Sequence, residues 1–231
     1  MIGFGLDGRD SLEPPMIRPR HAGYLGIVAL AWFWLATVIF GALRPGYSHV
    51  VNEISELGVM GTPNAVWWNV LGFGVTGVLA AIVGGTIAGS IGREPSIAAK
   101  IARVLLVIAG LGIAAQGVFP AEMVNGVVDI GSPSTRAHFL SGLATGVAWL
   151  LGVLALVGPM RRDATWRGLY LANIVLAGLT IVASLTLRGL LDAGLAQRIG
   201  NTIFMVWYVL MSMKLVGLDG RRAPADGTAA A

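Results

Sequence analysis

Cysteine is absent from this chain of 231 residues, and charged residues make up only 12% of it. Without cysteine the protein cannot form disulfides, use a thiolate nucleophile, or hold iron–sulfur clusters or haem through thiols, so any metal site must use His and carboxylate ligands. Soluble domains carry about 25% charged residues, whereas 55% of this chain is hydrophobic. The composition is therefore typical of an integral membrane protein.

Six long apolar stretches divide the chain. Each has about the 20 residues that a helix needs to cross the hydrocarbon core of a bilayer. They cover residues 23–43, 64–90, 99–120, 137–158, 168–187 and 199–217. We therefore predict an all-α polytopic membrane protein, with a bundle of six transmembrane helices over residues 23–217 between flexible cytoplasmic tails at residues 1–22 and 218–231.

Basic residues alternate between the segments that flank and connect these stretches. The first, third, fifth and seventh segments hold 12 of the 16 Lys and Arg, and the other three hold 4. Because short cytoplasmic loops carry the excess of Lys and Arg, we predict a cell-membrane protein with both termini cytoplasmic. The net charge of +4 then lies at the membrane surface, where it attracts anionic lipid. We expect membrane lipids, and no nucleic acid, as partners.

The first outer connector, residues 44–58, predicts a short amphipathic helix over residues 48–57, which Gly58 ends. Spacings of three and four residues put its polar side chains on one face and its apolar side chains on the other. The polar face holds His49, Asn52, Glu53 and Glu56, and the apolar face holds Val50, Ile54 and Leu57. The polar face could converge on a metal, a proton path or a polar head group, or it could simply meet water.

The second outer connector contributes a histidine. Pro120 ends helix 3, and Ser134 or Thr135 could cap helix 4, which places His138 in the first turn of that helix. A neutral histidine is unremarkable at this position, because the positive end of the helix dipole disfavours its charged form. His138 would be functional if it bound a ligand or a carboxylate.

The third outer connector contributes two arginines, Arg188 and Arg198. Arg188 has the i, i+4 spacing for a pair with Asp192, and both arginines could extend to the interface with their apolar stems buried. Together with Arg44, they could instead form an anion site.

Two glycines, Gly142 and Gly146, lie four residues apart inside predicted helix 4. Small residues at this spacing allow helix backbones to approach closely in lipid. The pair predicts either a tight crossing within the bundle or a face through which a homo-oligomer forms.

Four short motifs carry a family resemblance. They are the run from Arg44-Pro-Gly-Tyr-Ser-His to Ile-Ser-Glu-Leu-Gly58, the Gly117-Val-Phe-Pro120 that ends helix 3, His138, and Gly194-Leu-Ala-Gln-Arg198 before helix 6. Over about residues 23–217 the chain resembles the uncharacterised prokaryotic membrane family called domain of unknown function 998. The resemblance implies a multi-helix membrane protein and no particular activity. In topology alone the chain is also similar to the six-helix Frag1/DRAM/Sfk1 group.

The ionisable residues of the outer connectors give the main functional hypothesis, because such groups are costly near hydrocarbon and mark functional sites. We predict an outward-facing polar pocket for a lipid head group, an ion or a small amphipathic ligand. Its predicted ligand-binding residues are Arg44, His49, Glu53, Glu56, His138 and Arg188.

Two other classes of function stay open. In a membrane-embedded metal-dependent hydrolase or lipid-modifying enzyme, His49, Glu53 and His138 would bind a divalent metal, and Glu56 or Asp129 would act as general base. In a structural protein, the bundle would pack against another membrane protein. Transport is less favoured, because the helix interiors offer only weakly polar groups and no charge to carry a coupled proton. These groups are Gln116, Asn173, Thr180 and Ser184.

Overall fold

Six helices of the computed structural model, which describes residues 17–92 and 94–218, are long and apolar enough to cross a membrane. They are α1 (Pro19–Ala42), α2 (Ala65–Gly89), α3 (Ile97–Val118), α4 (Pro133–Arg162), α5 (Arg167–Gly189) and α6 (Ala193–Val216). The predicted all-α bundle of six spans is confirmed. α1 begins before the predicted residue 23, and the predicted tails at 1–16 and 219–231 lie outside the described residues.

The helices form a closed ring in which each packs against its neighbours in sequence and α6 returns to α1. Because the number of spans is even, α1 begins and α6 ends on the same side of the bundle. We call the opposite side the far face. There α1, α3 and α5 end and α2, α4 and α6 begin, so it carries the three connectors 43–64, 119–132 and 190–192.

Glycines allow the close approaches within this ring. A Cβ atom on Gly77 of α2 would collide with the backbone of Ala114 in α3, and one on Gly23 of α1 would collide with the backbone of Ser212 in α6. A Cβ on Gly146, by contrast, would meet nothing within 4 Å. The expected tight crossing is therefore absent at Gly146, and a homo-oligomer through Gly142 and Gly146 stays a prediction.

α2 contains a π-helical turn at Asn69–Gly74. Such a turn has hydrogen bonds between residues five apart rather than four apart, and here side-chain hydrogen bonds join it to other parts of the fold. Trp32 Nε1 donates to the Leu71 carbonyl at 2.7 Å, and Asn69 Nδ2 donates to the Gly58 carbonyl at 2.9 Å. The turn thus ties α2 to α1 and to the first connector, and its Phe73 is buried.

The second connector contains a small hairpin that the sequence analysis did not predict. Met123–Val124 pairs with Val127–Val128, and the tip residues Asn125 and Gly126 have φ of 52° and 79°. Asn-Gly is the residue pair that tight two-residue hairpin turns favour. Ser132, rather than Ser134 or Thr135, caps α4. His138 therefore lies beyond the first turn of α4.

The alternation of basic residues predicts that the far face is extracytoplasmic, and the hairpin provides a site for testing it. Val127 is 69% exposed on the far face, and Glu94 is exposed on the opposite face. Because the chain has no cysteine, Val127→Cys should react in whole cells with a membrane-impermeant maleimide, and Glu94→Cys should react only after lysis. Labelling of Glu94→Cys alone in intact cells would reverse the orientation.

Candidate functional site

The first connector lies on the beginning of α6. The N–H groups at a helix start have no partner within the helix. Here the Gly194 N–H donates to the Val51 carbonyl at 3.1 Å, and the Leu195 N–H donates to the Val50 carbonyl at 2.8 Å. A Cβ on Gly194 would collide with the carbonyl of Asn52. Gly194 is therefore required for this close contact.

The helix predicted over residues 48–57 is interrupted. A backbone hydrogen bond from Asn52 to Ser48 closes one turn, and a separate 3₁₀ helix covers Ile54–Gly58. Between these two turns, side chains of α6 form hydrogen bonds with the connector backbone. Arg198 donates to the Asn52 carbonyl at 2.8 Å, and Gln197 Oε1 accepts from the Ile54 N–H at 2.5 Å. The segment is thus fixed by α6 as well as by its own hydrogen bonds.

Arg198 is the centre of this far-face network. Its Nη1 donates to the carbonyls of Asn52 and Gly194, and its Nη2 donates to the Tyr47 hydroxyl at 2.6 Å and to His49 Nδ1 at 3.1 Å. The Tyr47 hydroxyl in turn donates to the Glu53 carbonyl at 3.1 Å. One side chain of α6 therefore joins three parts of the first connector.

Burial, more than the network itself, changes the pKa values of both aromatic side chains. Burial raises the pKa of Tyr47 and outweighs the lowering by Arg198. Burial, followed by the charge of Arg198, lowers the pKa of His49. Because His49 Nδ1 accepts from Arg198, the proton of the neutral ring is on Nε2. Tyr47 and His49 are both neutral at physiological pH.

Arg44 and Glu56 stabilise the connector itself. Arg44 donates to the Glu56 carbonyl and lies over the Tyr47 ring, 5.7 Å from its centroid. The Glu56 carboxylate accepts from the Glu53 N–H at 2.8 Å and from Asn52 Nδ2 at 2.9 Å. Both of these predicted ligand-binding residues have partners within the first connector.

Glu53 and Arg188 form an ion pair between the first connector and α5, with 2.8 Å between Glu53 Oε1 and Arg188 Nη1. Ser55 Oγ and Gln197 Nε2 each donate to Glu53 Oε2 at 3.3 Å. The Arg188 side chain is 60% exposed, and an exposed pair contributes only about 0.2–1 kcal/mol. Glu53 thus accepts two hydrogen bonds in addition to its weak ion pair with Arg188.

His138 has a different environment from the other predicted residues. It is 4% exposed, and its Nδ1 lies 3.0 Å from the carbonyl oxygens of both Gln116 and Phe119. Nδ1 therefore carries a proton and donates to the end of α3. The ring packs edge-on against Phe73 at 5.8 Å. His138 ties α4 to α3.

Nothing in residues 17–92 and 94–218 forms a group of three His, Asp or Glu side chains that could hold a metal. His49 accepts from Arg198, Glu53 pairs with Arg188, and His138 binds the end of α3. Asp129 accepts from the Gly131 N–H. The metal site of His49, Glu53 and His138 therefore stays a prediction.

A cavity of about 350 Å³ lies inside the ring, toward the far face. Its walls combine apolar and polar side chains from α1 to α6 and from the first connector. Its apolar walls include Phe33, Phe73, Ile113, Phe204 and Met205, and its polar walls include Ser55, Gln116, Thr145, Thr180, Ser184, Arg188, Gln197 and Asn201. Of the described residues that line it, Arg188 is the one that is charged. Gly142, Gly146 and Gly200 also line it.

Of the six predicted ligand-binding residues, Arg188 alone is among the described residues that line this cavity. Five of the polar lining residues, Arg188 among them, form two helix stripes. Thr180, Ser184 and Arg188 are four residues apart along α5, and Gln197 and Asn201 are four apart along α6. This i, i+4 spacing puts each stripe on one helix face, a signal that the sequence already contained.

An aromatic layer closes the cavity on the side away from the far face. Phe204 packs against Trp149, with ring centroids 5.0 Å apart, and Trp207 packs against both Trp149 and Tyr208. Beneath them Trp207 Nε1 donates to Asn173 at 2.8 Å, and Asn173 donates to the Val153 carbonyl. Trp149 and Trp207 are fully buried. The cavity therefore ends within the bundle.

These features define the class of the protein, a six-helix integral membrane protein with a ligand-sized cavity in one half of its bundle. Residues 27–214 match the family model described as Protein of unknown function (DUF998), and the chain belongs to this family. Neither a curated protein nor a solved structure matches the chain.

The Arg198 network predicts a large effect of one substitution on stability. Arg198→Met leaves the Asn52 carbonyl and the Tyr47 hydroxyl without their donor, and the free energy of unfolding should fall by about 1–3 kcal/mol. Arg188→Met is the control and should cost less than about 1 kcal/mol, because its ion pair is exposed. SDS-induced unfolding in mixed micelles measures both values. Equal losses would contradict the central role of Arg198.

The lowered pKa of His49 predicts that the folded protein becomes less stable at acidic pH. Its pKa in the folded protein lies below the ordinary value of 6.5. The unfolded chain therefore binds more protons as the pH falls through that value, and the stability present above it decreases. The fall in melting temperature between about pH 7.5 and about pH 5.5 should be smaller in His49→Gln, which keeps an acceptor for Arg198 but does not titrate.

Circular dichroism provides these melting temperatures. His21→Gln, at an exposed histidine near the start of α1, is the control and should behave like the wild type. If His49→Gln lost as much stability on acidification as the wild type, His49 would not be the titrating group.

Proposed function

We propose that this protein binds an amphipathic lipid-like ligand of the outer leaflet in the central cavity. The polar end of the ligand lies at the far face beside Arg188, Gln197 and Asn201, and its apolar part lies against Phe73 and Phe204. In this proposal the far face is extracytoplasmic, in keeping with the distribution of Lys and Arg.

The composition of the cavity wall is the observation that carries the proposal. Ligand sites are mostly apolar, with a few polar groups that fix orientation, and measure about 300–1,000 Å³. The cavity of about 350 Å³ has this character. Among the described residues that line it, Arg188 is the charged one, and it lies in the 3₁₀ turn Leu187–Gly189 that ends α5. A wall with both polar and apolar side chains fits a ligand with a head group and a chain.

The aromatic layer supports binding rather than translocation. Trp149 and Trp207 are fully buried beneath the cavity, and Asn173 is hydrogen-bonded on both of its polar atoms. A path through the bundle would have to displace these side chains. A cavity that ends at such a layer is suited to a ligand that enters and leaves by the same half of the membrane.

The packing of α5 supports entry from the bilayer between α4 and α5. Only 17% of the most apolar part of α5 is buried, against 56% for α2. On α4, Gly146 is exposed and has open space at its Cβ position. A small residue on α4 and a loosely packed α5 give a chain-like ligand room to pass between these two helices.

The enzyme alternative has less support. It needs His49, Glu53 and His138 around one metal, whereas the recorded partners of these residues are Arg198, Arg188 and the end of α3, respectively. The structural-partner alternative does not explain why polar side chains of α5 and α6 line the cavity. Ligand binding accounts for both the stripes and the glycines.

Filling the cavity tests the proposal. Gly146→Leu and Gly200→Leu should each lower the amount of co-purifying lipid about fivefold or more, because fitting a large side chain into occupied space costs about 1–3 kcal/mol. Lipid mass spectrometry on protein purified in a neutral maltoside detergent measures the amount. Gly178→Leu is the control, since Gly178 also has open space at its Cβ position but does not line the cavity. The same lipid content in all three variants and the wild type would contradict the proposal.

A further inference from the structure

We propose that the ligand carries an anionic head group, a phosphate or a carboxylate, and that this group displaces Glu53 from Arg188. Glu53 then acts as an internal counter-ion that occupies the anion site while the cavity is empty. This inference rests on the proposed function, and it adds the charge of the ligand and the residue that competes with it.

The charges around the cavity favour an anion. Arg188 is the charged residue among the described lining, and no Asp or Glu is among the described residues that line it. The other polar lining residues carry amides and hydroxyls, which can donate to an anion. Gln197 and Asn201 lie on α6, and Ser184 lies one turn before Arg188 on α5. A cationic head group would meet no compensating charge in this lining.

The arginines of the far face are not equivalent. Arg44 is bound to the Glu56 carbonyl and lies over Tyr47, and Arg198 has four hydrogen-bond partners. In the part of the chain that the structure describes, Arg188 has a single recorded partner, Glu53, through Nη1. A guanidinium has five N–H donors and binds phosphate or carboxylate with two parallel hydrogen bonds. Arg188 therefore keeps the donors that an incoming anion needs.

Glu53 is able to release Arg188 without being left unpaired. Its Oε2 accepts from Ser55 and Gln197, and its own side chain is 20% exposed. The pair is weak because Arg188 is 60% exposed. An anion with a second contact in the cavity, through its apolar chain, can outcompete this exposed ion pair, and Glu53 then keeps its hydrogen bonds from Ser55 and Gln197.

Glu56 provides a matched control for Glu53. It is the other carboxylate of the same connector, three residues away, and it accepts from the Glu53 N–H and from Asn52. The ion pair of Arg188 is with Glu53 and not with Glu56. Glu56→Gln and Glu53→Gln remove the same charge from the same connector, but only Glu53→Gln frees Arg188.

The test measures binding of radiolabelled dodecyl phosphate to the purified full chain in a neutral maltoside detergent by scintillation proximity. Glu53→Gln should bind about two- to fivefold more tightly than the wild type, the gain expected when an exposed ion pair no longer competes. Arg188→Gln should bind about tenfold or more weakly, because a hydrogen-bonded charge is lost. Glu53→Gln/Arg188→Gln should match Arg188→Gln, and Glu56→Gln should stay within about twofold of the wild type.

Two unlabelled competitors identify the source of the anion. Dodecyl phosphocholine has the same chain and no net charge, because a choline cation is attached to its phosphate. Its affinity should therefore rise less in Glu53→Gln than that of dodecyl phosphate. Inorganic phosphate should compete far less well than dodecyl phosphate if the ligand is a lipid. Competition by inorganic phosphate as strong as that by dodecyl phosphate would support the anion site and assign it to a free anion.

The results that overturn the inference differ from those that overturn the proposed function. Unchanged affinity in Glu53→Gln, or an equal gain in Glu56→Gln, would show that Glu53 does not compete for an anion site. If Gly146→Leu still abolished binding of dodecyl phosphocholine, cavity binding would stand and only the charge preference would fail. If neither amphiphile bound, or Gly146→Leu had no effect on either, the proposed function would fail as well.

Discussion

The guanidinium of Arg198 donates to the carbonyl oxygens of Asn52 and Gly194 and to the hydroxyl of Tyr47, and through these bonds it joins the last helix to the first connector. Polar groups of a connector near hydrocarbon must be paired, because an unpaired backbone group there costs several kcal/mol. Arg198 meets this requirement with one rigid side chain. The positions of Glu53 and of the 3₁₀ helix Ile54–Gly58 depend on it.

The cavity depends in turn on that connector and on the absence of side chains elsewhere. Ile54 and Ser55 form part of its wall at the far face, while Gly146 and Gly200 leave space on α4 and α6. In most of the ring, glycines bring helices together, as Gly77 does between α2 and α3. The same residue type has opposite uses at these positions, and only the neighbouring helix decides which one applies.

The sequence was sufficient to predict the parts of the fold that depend on local composition. Six apolar stretches predicted six spans, and the apolar positions Ile54 and Leu57 are buried as the pattern indicated. The conformation of the first connector was not predictable, because its backbone forms hydrogen bonds with Gln197 and Arg198, which lie more than 140 positions away in the chain.

The candidate site was predicted in part. Arg188 and Glu53 were singled out because ionisable groups near hydrocarbon are rare, and they are indeed paired beside the cavity. Thr180, Ser184 and Asn201 line the cavity, yet single hydroxyls and amides in a helix carry little information by themselves. Their i, i+4 alignment with Arg188 or Gln197 was the available signal. No local pattern could show that His138 would bind the carbonyls that end α3.

The closure of the ring by α6 has a consequence for how the protein is assembled during synthesis. α2, α3, α4 and α5 each pack against the helix made just before them, so each finds a partner already in the membrane. The first connector is different, because the residues that satisfy it, Gly194 to Arg198, are among the last of the bundle to leave the ribosome. Until α6 inserts, the carbonyls of Val50, Val51 and Asn52 have to rely on water at the membrane surface. Completion of the far face is therefore a late event, and a chain that stops before α6 lacks the N–H groups and the guanidinium that pair with these carbonyls.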